Sequence, residues 1–153
     1  SIGLEILEDL PEVDIVVVGV GGGGLISGLA AAIKQSPGGE NVRIIGVEPE
    51  GSNSMFLSIE QDKAAHITPQ SFVNGLSPPF AGAKAYQHVK KFVERVVLVS
   101  DAQVKEAMKV FFNDYKLVVE SAGAAALASV MFGKVANVEG KNVVVVVSGG
   151  NID

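Results

Sequence analysis

The stretch "VGVGGGGLISG", Val18 to Gly28, follows directly on the apolar run "DIVVV" and carries four consecutive glycines, Gly21 to Gly24. Each glycine loses more backbone freedom on ordering than any other residue. A run of four is therefore kept only where something approaches the backbone too closely for a side chain. A membrane span is one competing reading, because Ile15 to Ile33 is 19 residues without a charge and Gly24 with Gly28 forms a GxxxG pair. That reading fails on cost: the stretch holds six glycines, and each gives up roughly 1 kcal/mol against alanine inside a helix. Strand, glycine loop, helix is the parse that fits.

Working outward, Ile2 to Leu10 has helical spacing, with Ile2, Ile6 and Leu10 on one side and Glu5, Glu8 and Asp9 on the other, and Pro11 ends it. The five acids among the first 14 residues are read as a solvated helix face. Ile15 to Val18 is then a strand, Leu25 to Gln35 a helix closed by "SPGG", and Val42 to Glu48 a second strand. Ser52 or Asn53 is placed to cap a further helix. Val96 to Val99 is a third strand, and Ser100 with Gln103 has the spacing of a capping box for a helix reaching about Tyr115. Small residues from Ala122 to Ala128 predict a tightly packed helix, and Val143 to Val147 a last strand. Ile67 to Ala83, rich in Gly, Pro and Ser, reads as a long loop of the kind that is usually functional or mobile. The strands are continuous β-branched runs without polar alternation, the habit of strands covered on both faces. The expected class is α/β, a Rossmann-like three-layer arrangement of a parallel sheet flanked by helices.

The 153 residues, 48% of them hydrophobic, suit one domain with one core. A net charge of -5 and a pI near 5.0 give no basic stripe for a nucleic-acid backbone. There is no cysteine and no basic-then-apolar leader, so the expected setting is cytoplasmic, with no membrane and no nucleic-acid partner.

In a parallel sheet ligands sit beyond the carboxyl ends of the strands, where the glycine loop falls. A glycine-rich turn feeding a helix gathers unpaired backbone N–H groups and the positive end of the helix dipole. No Lys or Arg occurs from Ser1 to Ile33, so a phosphate here would be held by backbone dipoles alone. Two ligands compete. Gly19, Gly21 and Gly24 satisfy the GxGxxG spacing of a dinucleotide (NAD-type) site, and Glu48 ends the second strand where a ribose-binding acid would stand. Against this, Gly22 and Gly23 widen the loop into a cup suited to one terminal phosphate.

A second glycine motif closes the chain: "VVVVVSGGNID" places Ser148 at the end of another buried strand, facing the same crevice. Taken in order, "VDIVVVGVGGGGLISG", "VVLVSD", "KLVVESAGAAALA" and "VVVVVSGGNID" resemble the serine/threonine dehydratase and serine racemase group, the β-family or fold type II pyridoxal-phosphate enzymes. The resemblance covers essentially the whole chain. It implies that backbone N–H groups of Gly21, Gly22, Gly23, Gly24 and Leu25 hold the phosphate of pyridoxal 5'-phosphate, and that Ser148, followed by Gly149, meets the pyridine nitrogen. Glu120 in "VVES" and Gly75 in "VNGL" match positions near the ring and substrate. A hydroxyl supplies no opposite charge to a pyridinium, so the ring nitrogen is expected to stay largely unprotonated. Such a cofactor suits elimination of a β-hydroxyl from serine or threonine to give a keto acid and ammonia.

The group's Schiff-base lysine lies in a Ser-x-Lys motif, and none of the lysines here follows a Ser-x step at a strand-to-helix junction. No catalytic residue is therefore assigned. The expectation is the C-terminal portion of a larger cofactor-binding catalytic domain, residues 1–153, inactive alone and associating with the missing half or with copies of itself. A truncated sheet of this kind would expose an unpaired edge and an apolar face. Some members of the group bind a divalent cation through a glutamate at the position of Glu48. Ser52 and Ser54 stand at the two further ligand positions, where an aspartate is lacking, so no metal is expected. His66 and His88 lack ligand spacing, and Phe72, Phe80, Phe111 and Phe112 are read as core or loop packing.

Overall fold

The computed structural model describes residues 1–152. The element order is α1 (Ile2–Asp9), β1 (Ile15–Gly19), α2 (Gly24–Lys34), β2 (Arg43–Pro49), α3 (Ser54–Glu60), a 3-10 turn (Asn74–Leu76), α4 (Ala83–Phe92), β3 (Arg95–Val99), α5 (Asp101–Asn113), α6 (Ser121–Met131) and β4 (Val143–Val145). All pairings among the four strands are parallel, in the order β3-β2-β1-β4. The sheet grows outward from β1 through β2 to β3, and the chain then returns to pair β4 on the other side of β1. That reversal is a topological switch point, and it separates the two segments that follow β1 and β4.

Both faces of the sheet are covered, and this explains the absence of polar alternation. Ile15 and Val17 of β1 point with Ile45 and Val47 into a core built with Val104, Phe111 and the alanines of α6. Val16 and Val18 point the opposite way, with Ile44, toward Ile26, Leu29 and Ile33 of α2 and Val89 of α4. Every residue of β1 is buried. Complete burial of each such Val or Ile is worth about 1.5–3 kcal/mol, which outweighs the weak intrinsic preferences of a five-residue strand. At the amino ends of the strands Arg43 Nε donates to Glu94 Oε2 at 2.7 Å and its Nη2 to Oε1 at 3.0 Å. This fork ties β2 to β3 and leaves the carboxyl ends for other work. No helix among the described residues is long and apolar enough to cross a membrane.

Three features differ from the sequence expectations. First, α4 has no counterpart in the reading, because its apolar face is thin: of its residues only Val89 is fully buried. Second, Asn53 occupies the position before α3, but its side chain makes no cap bond. The carboxylate of Glu48, near the end of the preceding strand β2, takes that role, accepting from the N–H of Met55 at 2.9 Å and of Phe56 at 2.8 Å. Third, the phenylalanines divide: Phe111 joins the core and Phe72 packs against it, Phe80 packs in the loop with its ring 5.6 Å from that of His66, and Phe112, exposed on α5, serves as neither core nor loop packing. The long loop carries the 3-10 turn and one bridge, His66 to Phe80.

The capping box on α5 is present in both halves: Gln103 N donates to Ser100 Oγ and Ser100 N to Gln103 Oε1. Replacing Ser100 by Ala leaves one orphan donor at the helix start, and chemical denaturation is expected to show a loss of about 1 kcal/mol.

Candidate functional site

The glycine loop leaves β1 at Gly19 and enters α2 at Gly24. Gly23 sits at the N-cap of α2 with φ 88°, a left-handed conformation that favours glycine. A Cβ at Gly23 would fall 2.5 Å from Met55 Cε and 2.9 Å from Ala85 Cβ. One at Gly21 would fall 3.0 Å from Gly75 O. By contrast, Cβ atoms at Gly22 and Gly24 would meet nothing within 4 Å and would stand in open space. The four glycines thus divide: Gly21 and Gly23 permit close packing behind the loop, while Gly22 and Gly24 keep its front clear.

Among the described residues, none of the backbone N–H groups of Gly21, Gly22, Gly23, Gly24 and Leu25 donates to a protein acceptor. Five consecutive unpaired donors at the positive end of a helix form an anion cradle without any cation. The loop is held from outside. Gly82 N donates to Gly22 O at 3.1 Å, and Ser27 Oγ donates to Gly23 O.

Around this cradle lies a cavity of about 250 Å³ lined by Gly19, Gly21 to Gly24, Leu25, Ile26, Gly75, Leu76, Glu120, Ala122 and Ser148. Every residue expected at the site except Gly149 therefore lines one cavity at the switch point. Gly149 supports the wall: its φ is 105°, and a Cβ there would overlap Glu120 Oε1. Its carbonyl also accepts from Glu120 N at 3.2 Å. Glu120 is the N-cap residue of α6. The first turn of that helix lies flat against the terminal motif, since a Cβ on Gly123 would be 3.0 Å from the carbonyls of both Ser148 and Gly149. Ala122, Gly123 and Ala124 are small because backbone meets backbone here. Leu76, Ile26 and Ala122 also line the cavity and were not singled out by the sequence reading. Of these, Leu76 stands beside Gly75 in "VNGL" and Ala122 opens the small-residue run of α6, whereas Ile26 gave no signal.

Glu48 does not belong to this cavity. It is 1% exposed, and both carboxylate oxygens are occupied by the amides that start α3. A ribose-binding acid has to offer a free oxygen toward the ligand, so the geometry removes the argument for a dinucleotide. Among the described residues no group of three or more His, Asp or Glu side chains is arranged to hold a metal ion.

The larger cavity, about 600 Å³, lies along the outer edge of β3 between Phe56, Ile59 and Lys134. It shares no lining residue with the cavity at the glycine loop. The smaller cavity at the strand carboxyl ends is the one with converging unpaired donors, and size is the weaker criterion.

Burial pushes the Glu48 carboxyl up to about 7, against the two backbone N–H groups that lower it. The native state therefore holds this proton more tightly than the unfolded chain. Its stabilising contribution is complete below about pH 4.5 and is lost as pH rises through about 7, a difference on the order of 3 kcal/mol. Denaturation curves between pH 5 and 8 are expected to show this fall in the wild-type chain. Glu48→Gln, although less stable overall for want of one acceptor, should lack the slope.

A model of the family described as pyridoxal-phosphate dependent enzyme matches residues 1–149. The chain is 40% identical over its whole length to L-threonine ammonia-lyase of Thermotoga maritima, covering 37% of that protein. It is 39% identical to a catabolic L-threonine dehydratase of Staphylococcus aureus, covering 44% of it. Among solved structures, maize serine racemase superposes with a TM-score of 0.91 at 32% identity, over 99% of this chain and 47% of the other. The processed form of threonine deaminase isoform 2 from Solanum lycopersicum gives 0.88 at 33%, over 99% and 44%. The chain thus spans less than half the length of the curated relatives it matches, and the part it spans holds the glycine cradle, Gly75, Glu120 and Ser148. By sequence and by fold, the chain belongs to the pyridoxal-phosphate dependent enzymes.

Proposed function

We propose that residues 1–153 form the cofactor-binding portion of a pyridoxal-phosphate lyase that removes water and then ammonia from hydroxy amino acids such as threonine or serine. The observation that carries this reading is the run of five unpaired amides, Gly21 to Leu25, facing a cavity that also contains Ser148 and Glu120. The residues fit the group. The cradle would hold the phosphate; Ser148, three residues beyond the strand beside β1, would meet the ring nitrogen as an uncharged partner. When bound, the cofactor supplies an electron sink for charge developing at the α-carbon of an amino acid. Ser148 keeps that sink modest, because a hydroxyl does not stabilise a protonated ring nitrogen as a carboxylate would. Gly75 leaves room beside Glu120, whose carboxylate can order a polar substrate group or accept a proton near the cavity mouth. The relatives' names point to threonine, and the serine racemase likeness keeps serine within the class.

The chain alone is proposed to be inactive. Among the described residues no lysine lines the cavity, so no amine stands ready for a covalent link to the cofactor. The exposure of Phe112 (63%), Tyr115 (64%) and Val118 (58%) supports association with further polypeptide, either the portion of the relatives not spanned here or a second copy. A cytoplasmic setting accords with the absence of cysteine.

Titration with pyridoxal phosphate, inorganic phosphate and NAD tests the reading. Pyridoxal phosphate and inorganic phosphate are expected to bind saturably and compete with each other, and NAD to leave both unaffected. Gly24→Asp places a negative charge in the cradle at a helix N-terminus, where it favours the helix. It is expected to weaken phosphate binding at least about tenfold while leaving stability unchanged or raised. Borohydride treatment of the mixture should yield no stoichiometric, single-site lysyl adduct. NAD binding displaced by Gly24→Asp, with no affinity for pyridoxal phosphate, would reverse the assignment.

A further inference from the structure

The loop from Gln70 to Gly82 crosses the cavity as a strap, and its Gly75 and Leu76 form one wall. At its far end the strap is fixed to the cradle by Gly82 N donating to Gly22 O. At its near end two bonds run to a single carboxylate at the first residue of α5. Ser71 Oγ donates to Asp101 Oδ1 at 2.6 Å, and Phe72 N donates to Asp101 Oδ2 at 3.2 Å. The same Ser71 hydroxyl accepts from Val73 N at 3.1 Å, so it acts as a relay between α5 and the 3-10 turn. Beyond it Leu76 N donates to Val73 O at 3.0 Å, Ser77 Oγ to Val73 O at 2.7 Å, and Ser52 Oγ to Leu76 O at 3.2 Å. On the outer side Lys105 Nζ lies 4.9 Å from the centre of the Phe72 ring, which seats that ring on α5.

We propose that the Asp101–Ser71 pair is a positioning device that holds Gly75 and Leu76 against the cofactor cavity, so that α5, which contributes no residue to the cavity, sets its width. The clearances explain why position matters. A Cβ on Gly75 would fall 2.7 Å from Ala122 Cβ, and Glu120 Oε1 stands 3.8 Å from that same point. On the other side Gly75 O stands 3.0 Å from where a Cβ on Gly21 would be. The turn is thus wedged between the cradle and the start of α6, and a shift toward either narrows the space for a ring. A carboxylate accepting two hydrogen bonds holds such a turn more firmly than neutral partners do. Asp101 and Ser71 touch no substrate in this account; they act through the strap.

The positioning claim rests on the cofactor reading above, so its test separates the two. Ser71→Ala and Asp101→Asn each remove part of the latch, Ser71→Thr retains the hydroxyl, and Ser100→Ala weakens α5 without touching the latch. Affinity for pyridoxal phosphate is expected to fall about tenfold in the first two and to stay within about twofold in the last two. Amide hydrogen exchange at Leu76, read without cofactor, is expected to quicken in Ser71→Ala and Asp101→Asn but not in Ser100→Ala. Wild-type affinity in Ser71→Ala and Asp101→Asn, or an equal loss in Ser100→Ala, would overturn the positioning role. If the wild-type chain fails to bind pyridoxal phosphate, the cofactor reading falls. Leu76 exchange then decides the latch on its own, with no difference between Asp101→Asn and Ser100→Ala counting against it.

Discussion

At the carboxyl end of the sheet, backbone packs against backbone, and most of the molecule is arranged to permit it. The glycine loop after β1, the strap turn at Gly75, the first turn of α6 and the Ser148–Gly149 segment all converge on one small cavity. Side chains at Gly21, Gly75, Gly123 or Gly149 would each run into neighbouring atoms within about 3 Å or less, close to the limit at which packed groups must shift. The alanine-rich composition of α6 belongs to the same crowding. What is gained is a set of peptide N–H groups presented to a ligand with no side chain in front of them.

A cradle of amides differs from a lysine or arginine site in a way that fits this chain. The protein carries net charge -5, and among the described residues no cationic side chain lines the cavity. Fixed amide dipoles cost no reorganisation when an anion arrives, and they draw no general attraction for polyanions across the surface. On the proposed reading, selectivity for one small phosphate ester would come from the shape of the loop and the 250 Å³ behind it. The one buried acid among the described residues, Glu48, is likewise held without any cation, its carboxyl accepting from the two amides that begin α3. That helix places Met55 against Gly23, so the acid supports the rear of the cradle and takes no part in ligand contact.

Much of this was legible in the residues because the signals were local. Ile15 to Val18 read as a buried strand from its unbroken β-branched run and is one, and Ser100 with Gln103 announced the start of α5 from spacing alone; the run Val143 to Val147 read the same way, but its strand stops at Val145 and is only half-buried, because β4 lies at the edge of the sheet with one neighbour. The glycine run and "SGGN" pointed to the candidate site because each follows a strand, where a parallel sheet opens. The remainder depended on distance in space. Nothing within three or four residues of Asn53 reveals that Glu48 will displace it as the cap of α3. The acid at the end of β2 looked like a ribose ligand until its two oxygens were found occupied. Asp101 and Ser71 are thirty positions apart, and no periodicity connects them. Helix α4 escaped because a helix that buries one side chain leaves a faint stripe. The resemblance supplied Glu120 and Gly75, whose roles composition could not suggest; the structure brings both to the cavity wall.

The central claim is that bare amides of one turn recognise a phosphate group. Two-dimensional amide NMR of the chain during titration with inorganic phosphate tests it without recourse to catalysis or to a covalent cofactor link. The account predicts saturable downfield shifts concentrated on the N–H groups of Gly21, Gly22, Gly23, Gly24 and Leu25. Shifts confined to the lysine-bearing face of α4, or unsaturable shifts spread over the surface, would contradict it.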